Sequence, residues 1–193
     1  MIYITLILLF IIISFYSNIY TNFYNYSKPV GYKVLEFACK YKIITNQHEI
    51  IDNLWLGNYK SALDKDFLKS KNIKLIINLS TDLKFTNLNI DKYRIPIKDN
   101  RSKHSNDGII FHFNIIYHKI NKIINESNGG VLIHCRAGMQ RSAAFVALYL
   151  IKKNKIKFNK DKKIIRSKRC IVFYPTVNFI KSIKHIEKKC LSK

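Results

Sequence analysis

The residues with the clearest capacity for chemistry lie in one run, His134-Cys135-Arg136-Ala137-Gly138-Met139-Gln140-Arg141-Ser142. The run places a cysteine, a glycine and an arginine at the spacing C-x-x-G-x-x-R, and a serine directly follows the arginine. An arginine can donate two parallel hydrogen bonds to two phosphate oxygens, and positive surroundings convert a cysteine into a thiolate. A thiolate that faces a bound phosphoryl group is a nucleophile. The pattern therefore predicts phosphoryl transfer through a phosphocysteine.

Two apolar runs would position this pattern. Residues 131–133 are β-branched or leucine and predict a buried strand, whereas the alanine-rich residues 143–148 predict a helix. The pattern then occupies a tight turn that enters a helix, where converging backbone N–H groups and the helix dipole favour an anion. Gly138 permits a backbone angle that a Cβ would disfavour. The predicted phosphate-binding residues are Arg136, Ala137, Gly138, Met139, Gln140 and Arg141.

The run resembles the signature loop of the dual-specificity phosphatases, a class of the cysteine-dependent protein tyrosine phosphatases. That loop commonly reads H-C-x-A-G-x-S-R-S, and Gln140 stands where the family usually has serine. The resemblance implies that Cys135 is the nucleophile and that Arg141 binds the phosphoryl oxygens. It also implies that Ser142 donates a hydrogen bond to the thiolate and that His134 orients the loop through its hydrogen bonds.

The likeness to this family extends over residues 47–189. Residues 50–58 resemble its opening strand and turn, with the start of a helix at Ser61 and Ala62, and residues 73–80 predict a buried strand. A helix is predicted from apolar residues at helical spacing, which are Ile109, Phe113, Ile116, Ile120 and Ile124. Residues 164–179 resemble the two closing helices and their connection. The resemblance implies one α/β domain of the protein-tyrosine-phosphatase type, with a central, mostly parallel sheet flanked by helices.

Departure of the substrate oxygen needs a proton donor, and two aspartates are candidates. Residues 93–99 are similar to the family strand that ends at the general acid, which favours Asp99. Asp107 is the alternative, but it precedes the helix predicted around Ile109 and could act there as an N-terminal cap. The residues between Asp99 and Asp107 are polar and are expected to form a loop that closes over substrate.

The amino end is strongly apolar. Residues 1–15 are apolar except for Thr5 and Ser14, and the first charged residue is Lys28. With the aromatic residues that follow, residues 1–24 approach the roughly 20 residues needed to span a bilayer. We expect residues 1–24 to form a hydrophobic helix that anchors the protein, residues 25–46 a linker, and residues 47–193 the catalytic domain. A cleaved signal peptide and a dispensable extension are the alternatives.

The lysines nearest this segment all follow it, so the positive-inside rule places the catalytic domain in the cytosol. A reduced catalytic thiolate agrees with that compartment.

The formal net charge of +22 would suit nucleic acid or an anionic membrane surface. However, the chain is rich in Lys, Ile and Asn together, so coding bias explains much of the charge, and a nucleic-acid partner is not expected. The scattered cysteines, Cys39, Cys135, Cys170 and Cys190, have no metal-ligand spacing, and neither a metal nor a cofactor is expected.

The resemblance implies removal of phosphate from phosphotyrosine and phosphoserine or phosphothreonine in proteins. A phosphoinositide or other phospholipid substrate is an alternative, although lipid-specific relatives often carry lysines where this loop has Arg136 and Met139. Further alternatives are removal of the 5′ γ-phosphate of RNA and a phosphoprotein-binding module without catalysis. The expected partner is a phosphoprotein substrate, and the sequence does not constrain the oligomeric state.

Overall fold

The structure, which is a computed structural model, describes residues 45–126 and 128–192. The described part of the chain begins with a β-hairpin. Strand β1 (Gln47–Ile51) pairs antiparallel with strand β2 (Leu54–Gly57), and Ile51 lies opposite Leu54 at the turn. Asn53 occupies the turn with φ 64°, a left-handed conformation that asparagine tolerates better than most residues. The predicted opening strand is therefore two short strands joined by a tight turn.

Three more strands complete a mixed five-stranded sheet. They are β3 (Ile73–Asn78), β4 (Asp91–Arg94) and β5 (Gly130–His134). The strand order is β1-β2-β5-β3-β4, and β5 pairs in parallel with both of its neighbours. Strands β3 and β4 are also parallel. Within the described sheet, only the hairpin strands β1 and β2 pair antiparallel. Every residue of β5 is buried, as expected for a central parallel strand covered on both faces.

Five helices of the described part of the chain cover this sheet. They are α1 (Lys65–Ser70), α2 (Lys103–Glu126), α3 (Arg141–Asn154), α4 (Phe158–Lys168) and α5 (Ile180–Leu191). The apolar residues that predicted α2 are all buried in the core, which confirms that helix. Helix α3 is buried from Arg141 to Ile151, and the Tyr149 hydroxyl donates a 2.7 Å hydrogen bond to Asn121 Oδ1 of α2. The predicted α/β architecture with flanking helices is confirmed.

Two predicted boundaries are wrong for local reasons. Ser61 and Ala62 lie in turns, and α1 begins later because the Asp64 side chain caps it by accepting a 3.0 Å hydrogen bond from the Phe67 backbone N–H. The strand predicted over residues 93–99 ends at Arg94. Pro96 has no N–H to donate to a neighbouring strand, so the chain continues from β4 as an irregular segment.

The predicted membrane anchor, residues 1–24, lies outside the described residues, as does the linker except for its last two residues. Among the helices that the structure does describe, none is both long and apolar enough to cross a membrane.

A carboxyl group is buried between the last two helices. Asp161 of α4 is fully buried, and neither of its carboxyl oxygens has a hydrogen-bond partner among the described residues. Burial, and then the nearby negative charge of Glu187, raises the pKa of Asp161 to about 7. Glu187 itself accepts a 2.6 Å hydrogen bond from the Phe158 backbone N–H at the start of α4.

Candidate active site

The central strand β5 ends at His134, and α3 begins at Arg141, so the signature residues form the loop between them. We call residues 135–141 the phosphate loop. Gly138 lies at its middle with φ 68°, and a Cβ placed there would come within 2.6 Å of the Gly57 carbonyl oxygen. Both the backbone angle and the close approach of β2 therefore require glycine at this position.

The sulfur of Cys135 lies at the base of the phosphate loop, where the residue is only 1% exposed. Two donors point at it. The Gly138 backbone N–H lies 3.3 Å from the sulfur, and the Ser142 hydroxyl lies 3.2 Å from it. Hydrogen bonds donated to a sulfur stabilise its negatively charged form. The structure thus brings Cys135 and Ser142 together, as the family resemblance implied.

Arg141 is almost fully buried at the first turn of α3, and the segment after β4 contacts its guanidinium. One terminal nitrogen, Nη1, donates to the Ile97 carbonyl oxygen at 3.4 Å, and Nε lies 3.4 Å from Asp99 Oδ2. The Nε–H is not aligned for a hydrogen bond to any described residue. The guanidinium is therefore held by Ile97 and Asp99, with donor capacity left for a phosphate oxygen.

Asp99 is bound on both carboxylate oxygens. Oδ2 forms the ion pair with Arg141, and Oδ1 accepts a 3.0 Å hydrogen bond from Asn178 Nδ2. The Asp99 side chain remains 22% exposed, so it is accessible from solvent. Asp107, in contrast, is an exposed residue inside α2, remote from the N-terminal cap position expected for it. The Ser102 hydroxyl fills that role by accepting a 3.1 Å hydrogen bond from the Ser105 backbone N–H.

His134 is completely buried directly before Cys135. Burial lowers its pKa to about 4; the Cys135 backbone opposes this shift, whereas the positive charges of Arg94 and Arg141 add to it. The imidazole is therefore neutral at physiological pH. The Cys135 backbone lies near enough to the ring to raise its pKa, but neither ring nitrogen makes a well-aligned hydrogen bond with the described residues.

The carbonyl groups of the phosphate loop are held from outside the loop. The Arg169 guanidinium, buried at the end of α4, donates from Nε to the Gly138 carbonyl at 2.9 Å and from Nη2 to the Ala137 carbonyl at 3.1 Å. The Tyr59 backbone N–H donates to the Arg136 carbonyl at 3.2 Å. Three carbonyl groups of the phosphate loop are thus bound by residues outside it, while the Gly138 N–H points at the Cys135 sulfur. No pattern in the sequence indicates that Arg169 takes part.

The second half of the phosphate loop is fastened to the segment before α5. The Phe173 backbone N–H donates to the Met139 carbonyl at 2.9 Å. The Gln140 side chain makes hydrogen bonds with backbone groups of residues 174, 176 and 178. The Arg136 side chain forms an ion pair with Asp82, on the loop that follows β3. All six predicted phosphate-binding residues therefore lie on the phosphate loop, which begins at Cys135, and one of them, Gly138, contacts its sulfur.

A metal centre is not formed by the residues that the structure describes. No group of three or more histidine, cysteine, aspartate or glutamate side chains among them could hold a metal ion.

Comparison with known proteins agrees with this geometry. The family described as the dual specificity phosphatase catalytic domain matches residues 54–189 of the chain. The chain belongs to the dual specificity phosphatase family. This dual specificity phosphatase is 34% identical over 140 residues to dual specificity protein phosphatase 1B of Arabidopsis thaliana, an alignment that covers 72% of this chain and 81% of that protein. By family it is a cysteine-dependent protein phosphatase.

Two further relatives of this dual specificity phosphatase extend the likeness. The tyrosine-protein phosphatase AMV078 of Amsacta moorei entomopoxvirus is 40% identical over 134 residues, covering 67% of this chain and 77% of that protein. The crystal structure of human DUSP28 superimposes with a TM-score of 0.67 at 18% identity, covering 75% of this chain and 95% of that structure. At 18% identity, the likeness to human DUSP28 supports the fold alone.

Proposed function

We propose that this domain hydrolyses phosphotyrosine and phosphoserine or phosphothreonine in proteins through a phosphocysteine intermediate, with Cys135 as the nucleophile. The observation that carries the proposal is the surroundings of the Cys135 sulfur. It receives hydrogen bonds from Gly138 and Ser142 at the base of a loop whose last residue is Arg141. A dianionic phosphate fits this loop because backbone N–H groups, a helix N-terminus and a guanidinium converge there.

In the first step, the Cys135 thiolate attacks the phosphorus atom and forms a sulfur–phosphorus bond while the bond to the substrate oxygen breaks. Arg141 follows the phosphoryl oxygens with two parallel hydrogen bonds as charge develops on them. Asp99 gives its proton to the departing oxygen. Its carboxyl group supports this role because it contacts Arg141, whereas Asp107 is exposed within α2.

In the second step, water attacks the phosphocysteine, Asp99 takes a proton from that water, and inorganic phosphate leaves. The Cys135 sulfur departs as a thiolate, and the Ser142 hydroxyl stabilises it with the hydrogen bond seen in the structure. The buried, neutral His134 transfers no proton in this scheme.

Protein substrates are favoured over phosphoinositides by the composition of the loop. The two variable positions that could add positive charge for a lipid headgroup are Arg136 and Met139. Arg136 is ion-paired with Asp82, and Met139 has no charge. The pairing reduces the positive potential that a polyphosphorylated headgroup would require.

The proposal also includes placement in the cell. Residues 47–193 form the catalytic domain, and residues 1–24 anchor it to a membrane with the domain in the cytosol. The support is the apolar run in the sequence and the lysines that follow it.

The decisive experiment assays the full chain on three substrates: a phosphopeptide, a phosphoinositide in mixed micelles and a triphosphate-ended RNA. We expect turnover of the phosphopeptide and little of the other two. The matched control is Cys135→Ser, whose hydroxyl is not ionised at neutral pH. It should lose turnover and form no phosphoenzyme when labelled substrate is quenched with acid. Undiminished hydrolysis by the serine variant would rule out the phosphocysteine mechanism.

A further inference from the structure

We propose that Asn178 is a positioning residue for Asp99 and that Gln140 holds Asn178 in place. The phosphate loop and the acid-bearing segment would then be joined through these two side chains. This inference rests on the proposed function of Asp99 as the general acid.

Gln140 is the residue at which this chain departs from the usual family loop, and its side chain is fully engaged. It is only 4% exposed. Nε2 donates to the Tyr174 carbonyl at 3.0 Å and to the Thr176 carbonyl at 2.7 Å, and Oε1 accepts from the Asn178 backbone N–H at 3.2 Å. A serine has a single hydroxyl on a shorter side chain and cannot make all three hydrogen bonds. The glutamine therefore fixes the backbone at residue 178.

The orientation of the Asn178 amide follows from its second neighbour. Arg101 carries donors only, and its Nε donates to Asn178 Oδ1 at 3.4 Å while its Nη2 donates to Thr176 Oγ1 at 2.6 Å. With Oδ1 facing Arg101, the Nδ2 donor faces Asp99 Oδ1 at 3.0 Å. The amide thus points a donor, and not an acceptor, at the carboxyl group.

This arrangement separates the two oxygens of Asp99. Oδ1 is held by Asn178, whereas Oδ2 is held by Arg141 only at ion-pair distance. When Arg141 turns its donors to a bound phosphate, Oδ2 is released while Asn178 keeps Oδ1. Because Oδ1 accepts a hydrogen bond, Oδ2 is the oxygen that carries the proton to the leaving group. Asn178 therefore acts through Asp99 and touches no substrate.

The test compares aryl phosphates with poor and good leaving groups, since only the poor ones need protonation of the departing oxygen. Asn178→Ala should lower kcat about 10-fold for a phenyl phosphate, the scale of one lost hydrogen bond to a charged group, and leave a nitrophenyl phosphate nearly unchanged. Asn178→Asp, which replaces the donor with an acceptor, should lose at least as much. Gln140→Ala should show the same pattern in weaker form. The control is Asn159→Ala, an exposed asparagine on α4.

Two further measurements distinguish positioning from a structural defect. Competitive inhibition by inorganic phosphate reports on the phosphate loop and should be unchanged in Asn178→Ala. In an Asp99→Asn background, Asn178→Ala should cause no additional loss, because the two residues act as one unit. Equal losses on both aryl phosphates, or full additivity with Asp99→Asn, would overturn the inference. If Asp99→Asn itself shows no leaving-group dependence, the proposed role of Asp99 fails instead.

Discussion

The Ser142 hydroxyl lies 3.2 Å from the Cys135 sulfur and donates a hydrogen bond to it. In the proposed mechanism, this contact matters most when the sulfur leaves the phosphoenzyme, because the thiolate regains its negative charge at that point. Ser142→Ala should therefore slow the second step and lower kcat by about 10-fold or more, the scale of one hydrogen bond to a charged group. Rapid mixing should show a burst of the first product that the wild type lacks. An unchanged kcat without a burst would contradict this role.

The positive charge of Arg141 should not be sufficient for catalysis without the planar geometry of the guanidinium. Arg141→Lys keeps the positive charge but loses the planar fork that can bond two phosphoryl oxygens at once. We expect the lysine variant to lose nearly as much kcat as Arg141→Ala, on the order of 10²-fold or more. Steady-state kinetics on a phosphopeptide measures both. A lysine variant that keeps most of the wild-type kcat would show that charge alone is sufficient.

The choice between the two candidate acids can be tested directly. Asp99→Asn should lower kcat for alkyl phosphates roughly 10²–10⁴-fold, and much less for aryl phosphates with good leaving groups. Asp107→Asn is the matched control, because it removes the same negative charge from an exposed residue of α2. The assignment is wrong if the leaving-group dependence appears in the Asp107 variant and not in the Asp99 variant.

The buried Asp161 should make stability depend on pH. Its pKa is raised to about 7 in the folded protein and lies near 3.8 without that environment. Between these values, the folded state keeps a proton that the unfolded state has lost, so this group lowers the free energy of unfolding as pH rises. Asp161→Asn, which cannot ionise, should gain stability relative to wild type between about pH 4 and 7, by about 1–3 kcal/mol in total. Urea unfolding across this range measures the difference, and a difference that does not change with pH would contradict the prediction.

Membrane attachment should depend on the first 24 residues. If the proposed anchor is correct, the full chain should sediment with membranes and remain there in high salt and in carbonate, because burial of the apolar residues 1–24 does not depend on charge. A shortened chain that starts at Gln47 should be soluble and equally active on a phosphopeptide. Release by salt would indicate electrostatic attachment, and a shortened secreted product would indicate a cleaved signal.

Local patterns predicted the parts of the molecule that short-range physics determines. The spacing of Ile109, Phe113 and Ile116 predicted α2 because a helix buries one face at that period. The apolar runs on either side of the phosphate loop predicted β5 and α3 because strand and helix periods differ. Their order along the chain placed the Cys135 loop between a strand and a helix before any contact was known.

The parts that escaped prediction depend on contacts between distant residues. The hydrogen bonds of Gln140 join it to backbone groups 34 to 38 residues away, and Arg169 reaches the Gly138 carbonyl from 31 residues away. No sequence period encodes such contacts. The predicted end of β4 was wrong for a different reason. Proline interrupts a strand only where its missing backbone N–H would have bonded to a neighbouring strand, and the sequence does not show which residues face that strand.

The Arg169 contacts bear on the order in which the protein can mature during synthesis. Synthesis of the phosphate loop is finished at residue 141, but the guanidinium that binds its Ala137 and Gly138 carbonyls follows at residue 169. The hydrogen-bond partners of Gln140 are synthesised later still, at residues 174–178. Because a chain is made from its amino end and folds as its contacts become available, a ribosome-bound chain has its cysteine long before that loop can take its final shape. Catalytic competence is thus delayed until nearly the whole domain has been released from the ribosome.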